Sequence, residues 1–172
     1  LERMLAYLRL DAQLYRFRFN LTTRQTTEGP LDDDNTEFPM MNTQVLGCKS
    51  RYAYNVHINS EKTLLFDGIF KYDTEQGRCD AHWFGANRFG SEAPFAPRPH
   101  AKSEDDGYLV SYVYDANENR SEVVVLDATN VTQQPLARVL LPQRVPLGFH
   151  ACWVPGEKLA VASRQSAVNH EH

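Results

Sequence analysis

The sequence is short of cysteine, of long apolar runs and of clustered charge. Its 172 residues include only Cys48, Cys79 and Cys152, an odd set without C-x-x-C spacing, so neither a disulfide framework nor a zinc site is indicated. No stretch approaches the roughly 20 apolar residues that span a bilayer. Sparse, unpaired cysteines are typical of a reducing compartment, and we expect a cytoplasmic protein.

Charge and missing motifs exclude further classes of function. The formal net charge is -4 and the 18 lysines and arginines are scattered, so no surface is expected to attract nucleic acid. The sequence has no GxSxG, P-loop, GxGxxG or HExxH pattern. Serine hydrolase, nucleotide-binding and zinc-protease functions therefore have no support.

The sequence is rich in aromatic and β-branched residues, which alternate with polar residues in short runs. Tyr15, Phe17 and Phe19 alternate with Arg16 and Arg18, which predicts a half-buried strand at 14–20. Similar patterns predict the other strands, at 51–58, 63–72, 107–114, 121–127, 136–141, 148–154 and 158–163. The fold class is therefore all-β, an antiparallel meander in a sandwich, barrel or propeller, and periodicity alone does not choose among these.

The remaining segments carry weaker signals. Residues 1–10 fit a helix or a strand equally well. Residues 22–36 are polar and contain Gly29-Pro30, so we expect an exposed loop. The three aspartates at 32–34 are interpreted as a solvated turn rather than a calcium site, because the alternating ligand spacing and the sharp-turn glycine are missing.

Several short motifs follow one another in a fixed order along the chain. They are Glu37-Phe38-Pro39, Lys71-Tyr72-Asp73, His82-Trp83-Phe84-Gly85, Gly90-Ser91-Glu92-Ala93, Pro97-Arg98-Pro99, Glu104-Asp105-Asp106-Gly107-Tyr108-Leu109 and Leu141-Pro142-Gln143-Arg144-Val145-Pro146-Leu147-Gly148-Phe149-His150. In order and spacing this set resembles the C-terminal part of the carotenoid cleavage oxygenases, which include apocarotenoid and lignostilbene dioxygenases. The match is best over residues 37–154, and we treat 1–172 as one C-terminal fragment.

The resemblance implies a fold and a metal. It implies a seven-bladed β-propeller, of which this chain would form about two to three blades. It also implies one non-haem Fe(II) ion (Fe2+) held by four histidines, of which His150 matches the last. The other three would belong to segments that precede Leu1.

Three residues are candidates for this metal site. On the bare sequence, His150 among apolar neighbours is more often a hydrogen-bonded core histidine, but its Gly-Phe-His context matches the family's final ligand motif. Glu92 and Glu37 match carboxylates that accept a hydrogen bond from the distal nitrogen of a ligating histidine. We expect Glu92 to lie about 2.7–3.2 Å from a His150 ring nitrogen. We also expect His150 in the interior of a β-sheet structure, with its ring directed at the propeller axis or at the inner edge of the fragment. Glu37 would serve a histidine outside this chain.

The other acidic and histidine residues are interpreted more simply. His82 is expected to be structural, and His57, His100, His170 and His172 to be solvated. The acids at 104–106 before Gly107 are interpreted as a tight turn at a strand entry.

Two functions remain open at this stage. The first is an Fe(II)-dependent dioxygenase that splits a C=C bond of a carotenoid, apocarotenoid or stilbene with O2, so the partners would be an apolar polyene or stilbene and O2. The second is a catalytically inactive β-rich fragment that serves only as a structural or interaction module. No nucleic-acid partner is expected, and any peripheral membrane contact would come through parts outside this chain.

Overall fold

The computed structural model describes residues 10–59, 64–148 and 150–156, and this part of the chain is built mainly from antiparallel strands. A 3-10 turn, Thr43–Val45, lies between the third and fourth strands. The strands are β1 Tyr15–Phe19, β2 Thr26–Pro30, β3 Thr36–Met40, β4 Tyr52–Ile58, β5 Phe66–Asp73, β6 Arg78–Trp83, β7 Arg88–Phe89, β8 Phe95–Pro97, β9 Gly107–Asp115, β10 Arg120–Asp127 and β11 Ala137–Leu140. No helix within these ranges is long and apolar enough to cross a membrane.

The strands form a hairpin and two larger sheets. β1 pairs with β2, and β3-β4-β5-β6 form a four-stranded sheet in chain order. The second sheet has the order β11-β10-β9-β7, and β8 also pairs with β9 on the side of β7. Antiparallel sheets of about four strands, with consecutive strands as neighbours, are consistent with the blades of a propeller. The predicted all-β fold of two to three antiparallel blades is confirmed.

The core lies between the two larger sheets. β9 and β10 alternate between buried and less buried positions, which places Leu109, Val124 and Leu126 on one face. Tyr54 of β4 and Ile69 of β5 pack against that face from the other sheet in a single buried cluster. In β9 and β10, the side chains at alternate positions therefore form the face that is buried against the other sheet.

The first hairpin differs from the prediction for strand 14–20. The strand exists, but Phe17 and Phe19 are 55% and 67% exposed, so its aromatic face is not buried against the described residues. The opposite face attaches the hairpin instead, because Arg16 Nη2 donates to the carbonyl oxygen of Thr74 at 2.7 Å. Residues 22–36, predicted as a loop, supply β2, whose backbone pairs with β1 although it has no apolar alternation.

Two further strands that the sequence predicts, at 148–154 and 158–163, are not found among the described strands. Residues 148–154 were predicted as a strand, and those that the structure describes there belong to no strand. The predicted strand at 158–163 and most of the segment 1–10 lie outside the described residues.

The acids at 104–106 do more than form a turn. The Glu104 carboxylate accepts the backbone N–H of Arg51 and Tyr52 at 2.9 Å. Asp105 pairs with Lys71 Nζ at 2.7 Å, and the Lys71 side chain is only 4% exposed. This segment therefore joins the entry of β9 to β4 and β5 of the other sheet, and holds the two sheets in their relative position.

Candidate functional site

Glu92 is held at a break in the second sheet. Residues 90–94 separate β7 from β8, and Gly90 N–H donates to the Phe66 carbonyl oxygen at 2.7 Å. A Cβ atom at Gly90 would lie 2.3 Å from a ring carbon of Phe84, so no larger residue fits without movement of that ring. Ser91 N–H donates to the Tyr112 carbonyl oxygen at 2.9 Å. These contacts explain the Gly-Ser pair before Glu92, which they fix in a buried position.

The segment that carries His150 is attached to this sheet by two side chains. Val145 N–H donates to Ser121 Oγ at 2.9 Å. Ala151 N–H donates to Glu92 Oε2 at 2.6 Å. The same carboxylate oxygen lies 3.5 Å from His150 Nδ1. The structure thus brings Glu92 and His150 together as predicted, although the separation is longer than the expected 2.7–3.2 Å.

The surroundings of the His150 ring differ from the prediction. The side chain is 76% exposed, so it does not lie in the interior of the described sheets. The physical reason is that residues 150–154 leave the sheet, and Glu92 holds their main chain rather than covering the ring. The predicted direction of the ring, toward the propeller axis or the inner edge of the fragment, stays a prediction. The Phe38 ring packs against the imidazole with centroids 4.8 Å apart and planes at 64°. Among the described residues, no hydrogen-bond partner faces Nε2.

Glu37 lies close to this site but serves a different contact. It precedes Phe38 in β3 and is half-buried, and its Oε2 accepts the Phe38 N–H at 3.0 Å. Its predicted partner is a histidine outside this chain, so that role remains a prediction.

The other candidate residues lie elsewhere. His82, on the edge strand β6, has Nδ1 3.1 Å from the Val131 carbonyl oxygen, in agreement with a structural role. His57 was expected to be solvated, and this is wrong: its Nδ1 lies 2.7 Å from Asp67 Oδ1 and its ring stacks on Phe70. Burial alone would raise the pKa of Asp67, but the hydrogen bonds from His57 and Asn59 outweigh it and hold that pKa below its usual value.

A second group of possible metal donors consists of Asp32, Asp34 and Cys79, whose donor atoms lie within 4.8 Å of one another. Burial and the two nearby carboxylates raise the pKa of the Cys79 thiol to about 12. Exposed acidic groups often lie this close without a metal, so the interpretation of residues 32–34 as a turn rather than a calcium site stays a prediction.

Sequence reasoning missed the part that Phe38 and Ala151 play at the site. Phe38 lies inside the quoted Glu-Phe-Pro motif, yet nothing in that motif shows that its ring meets a histidine 112 positions later. Ala151 contributes only its backbone N–H, which no residue pattern can reveal.

Comparisons with known proteins agree with the geometry. The profile of the retinal pigment epithelial membrane protein family matches residues 3–155. A carotenoid 9,10(9',10')-cleavage dioxygenase of Pisum sativum is 38% identical over an alignment 165 residues long, and the match covers 86% of this chain and 30% of that protein. A carotenoid cleavage oxygenase of Mycobacterium tuberculosis is 34% identical, with 83% and 29% covered.

Solved structures give the same result. A variant of the Synechocystis apocarotenoid oxygenase superposes with a TM-score of 0.76 at 31% identity, with 83% of this chain and 30% of that one covered. A cobalt-substituted form of that enzyme matches equally well. The chain spans less than a third of the length of these relatives. It belongs to the carotenoid cleavage oxygenase family.

Proposed function

We propose that these 172 residues are the C-terminal part of a longer protein, called the complete protein below, which cleaves a C=C bond of a carotenoid, apocarotenoid or stilbene with O2. The single observation that carries the proposal is the His150 ring. Its Nδ1 faces the buried Glu92 carboxylate, and no described residue occupies its Nε2. An imidazole arranged in this way is ready to bind a metal through the free nitrogen.

The donor chemistry fits Fe(II). Neutral imidazole is a suitable ligand for this ion, and a carboxylate on the opposite ring nitrogen makes the ligand more basic and fixes its tautomer. Bound Fe(II) would supply the redox chemistry with O2, which amino-acid side chains lack. In this proposal His150 provides one of four histidine ligands, Glu92 orients it, and Glu37 orients a ligand from another part of the complete protein.

The surroundings of His150 suit an apolar substrate. The Phe38 ring, which packs between the imidazole and the buried Phe66, forms an apolar wall on one side of His150. The names of the relatives support a polyene, since they are described as carotenoid cleavage enzymes. The stilbene alternative stays within the proposal, because an apolar wall does not distinguish two apolar substrates.

The alternative of an inactive fragment concerns the isolated chain. Of the described histidines, His82 contacts a backbone carbonyl oxygen through Nδ1. His57 also has a carboxylate on Nδ1, Asp67 at 2.7 Å, but its ring is packed against Phe70 and Trp83 and its side chain is only 17% exposed. His150 is the accessible histidine that has a carboxylate partner. One histidine cannot hold Fe(II) in a catalytic geometry, so the 172 residues alone would act at most as a structural module.

A substitution in the complete protein tests the proposal. His150→Ala should lower the bound iron to background and abolish cleavage, because neighbouring Ala151 offers no replacement donor. The fold should survive, since the His150 side chain is largely exposed. Iron is measured by metal analysis after anaerobic loading, and cleavage by chromatography of an apocarotenoid and a stilbene after exposure to O2.

The matched control is His100→Asn. His100 is exposed and has a left-handed backbone with φ of 59°, which asparagine tolerates. This variant should keep both iron and activity. Undiminished turnover by His150→Ala would show that the proposed iron centre is wrong.

A further inference from the structure

Phe38 has an unusual backbone at the position where it meets His150. Its φ is +51°, in the left-handed region that a bulky residue rarely adopts. The next residue is Pro39, and a proline restricts the residue before it further. A conformation of this kind persists only where the surrounding structure enforces it, and such positions cluster at functional sites.

A β-bulge accounts for the conformation. Glu37 pairs with Val56 and Met40 pairs with Tyr54, so three steps along β3 match only two along β4. The additional residue bends β3, and a bulge of this kind redirects a side chain from the direction that regular alternation would give it. The side chain concerned is Phe38, which contacts Phe66 on one side and His150 on the other.

The ring of His150 needs such a contact. Its described polar partner is Glu92, and at 3.5 Å from Nδ1 this carboxylate by itself orients the plane of the exposed imidazole only loosely. Phe38 packs at 64° to that plane, with the ring centroids 4.8 Å apart. An edge-to-face contact of this type restricts rotation of the imidazole about its bond to Cβ.

We propose that Phe38 is a positioning residue for His150: the bulge in β3 places its ring against the imidazole and aims Nε2 at the metal. This inference rests on the proposed function, because it concerns the orientation of the same histidine. In this role, the strained backbone of the Glu-Phe-Pro segment contributes to metal binding, and this contribution does not depend on any contact with substrate.

Three substitutions in the complete protein test the inference. Phe38→Gly removes the ring and also relieves the left-handed strain, so the backbone should not be destabilised. Phe38→Leu keeps an apolar side chain against Phe66 but has no flat ring. Phe38→Tyr keeps the ring and is the conservative variant. The affinity for Fe(II) is measured anaerobically by competition with a chelator, and the melting temperature is measured without iron.

We expect Phe38→Gly and Phe38→Leu to bind Fe(II) about 10-fold more weakly, the lower end of the effect of groups that orient a ligand. Phe38→Tyr should restore the affinity. Because the Phe38 ring also packs against the buried cluster of Val56, Ile58 and Phe66, the iron-free melting temperature of Phe38→Gly should fall. Phe38→Leu keeps an apolar side chain there and should melt near the wild-type temperature, so a purely structural role would leave the iron affinity of Phe38→Leu unchanged. Fe K-edge X-ray absorption should show a changed ligand geometry in the glycine variant.

The outcomes separate this inference from the proposed function. Loss of iron in His150→Ala with full affinity in both Phe38→Gly and Phe38→Leu would overturn the positioning role alone. Retention of iron in His150→Ala would overturn the proposed metal site and this inference with it. Weaker binding in Phe38→Leu at an unchanged melting temperature supports both.

Discussion

Glu92 shows how one residue can hold both a main chain and a side chain. Its Oε2 accepts the Ala151 N–H at 2.6 Å and lies 3.5 Å from His150 Nδ1. The short contact to a backbone N–H is a charge-assisted hydrogen bond, which is stronger than a neutral one. The stronger contact of Glu92 is therefore the one to the main chain of the His150 segment. This contact brings the imidazole next to the same carboxylate.

Two substitutions of Glu92 should separate these tasks in the complete protein. Glu92→Gln keeps an oxygen acceptor for Ala151 but loses the charge, so iron affinity should fall about 10–100-fold while stability changes little. Glu92→Ala also removes the acceptor, and should cost about 1–3 kcal/mol in the free energy of unfolding. Chelator competition and urea unfolding measure the two effects.

The exposed Glu118 offers a control, and Glu118→Gln should change neither quantity. Wild-type iron affinity in Glu92→Gln would mean that the carboxylate charge does not act on His150.

At the scale of elements, the two larger sheets are joined through one buried ion pair. Lys71 of β5 reaches Asp105 at 2.7 Å and also donates to the Thr129 carbonyl oxygen at 2.9 Å. Its ammonium lies 4.4 Å from the centroid of the Tyr52 ring, which adds a cation–π contact. The site depends on this junction, since Phe38 belongs to one sheet and Glu92 to the other.

Removal of one partner of this pair should be costly. Lys71→Met leaves the Asp105 carboxylate without its ammonium, and should destabilise the protein by about 3–5 kcal/mol. The double variant Lys71→Met with Asp105→Ala should regain much of that loss, because no unpaired charge remains. Urea unfolding of both single variants and the double variant gives the coupling energy.

The exposed pair of Arg120 and Glu118 is the matched control, and Arg120→Met should cost less than about 1 kcal/mol. Additive losses for Lys71 and Asp105 would show that the two side chains do not depend on each other.

At the scale of the molecule, the chain presents surfaces that suit further strands. β11 pairs only with β10 among the described strands, so its other edge is open. Val139 and Leu140 on that strand, and Phe17 and Phe19 on the first hairpin, are exposed. Open edges with apolar side chains promote association with other chains.

The isolated 172-residue chain should therefore self-associate and show no cleavage, even with added Fe(II). Size-exclusion chromatography with light scattering measures association, and product chromatography measures cleavage. Val139→Lys should reduce association, because a lysine on an edge strand disfavours pairing with another strand. Turnover by the isolated chain, or a monomer at micromolar concentration, would contradict this expectation.

Much of the fold could be predicted because strand patterns are local. Alternation between residues i and i+2 is such a pattern, and it predicted the strands β4, β9 and β10. It did not predict that the polar residue Asn55 in β4 is buried as completely as Val56 beside it. It failed for β2, which pairs through its backbone without a buried face. At the site, the resemblance to the carotenoid cleavage oxygenases led to the prediction that Glu92 lies beside His150, and the two side chains are 3.5 Å apart.

The amino-acid sequence by itself determined the family, the all-β class and the residues Glu92 and His150. Only the tertiary structure decided that residues 150–154 leave the sheet, that Phe38 adopts a left-handed conformation, and that Asp105 pairs with Lys71. The physical reason is distance along the chain. Glu92 and Ala151 are 59 residues apart and Lys71 and Asp105 are 34 apart, so these contacts depend on how the sheets pack rather than on any local pattern.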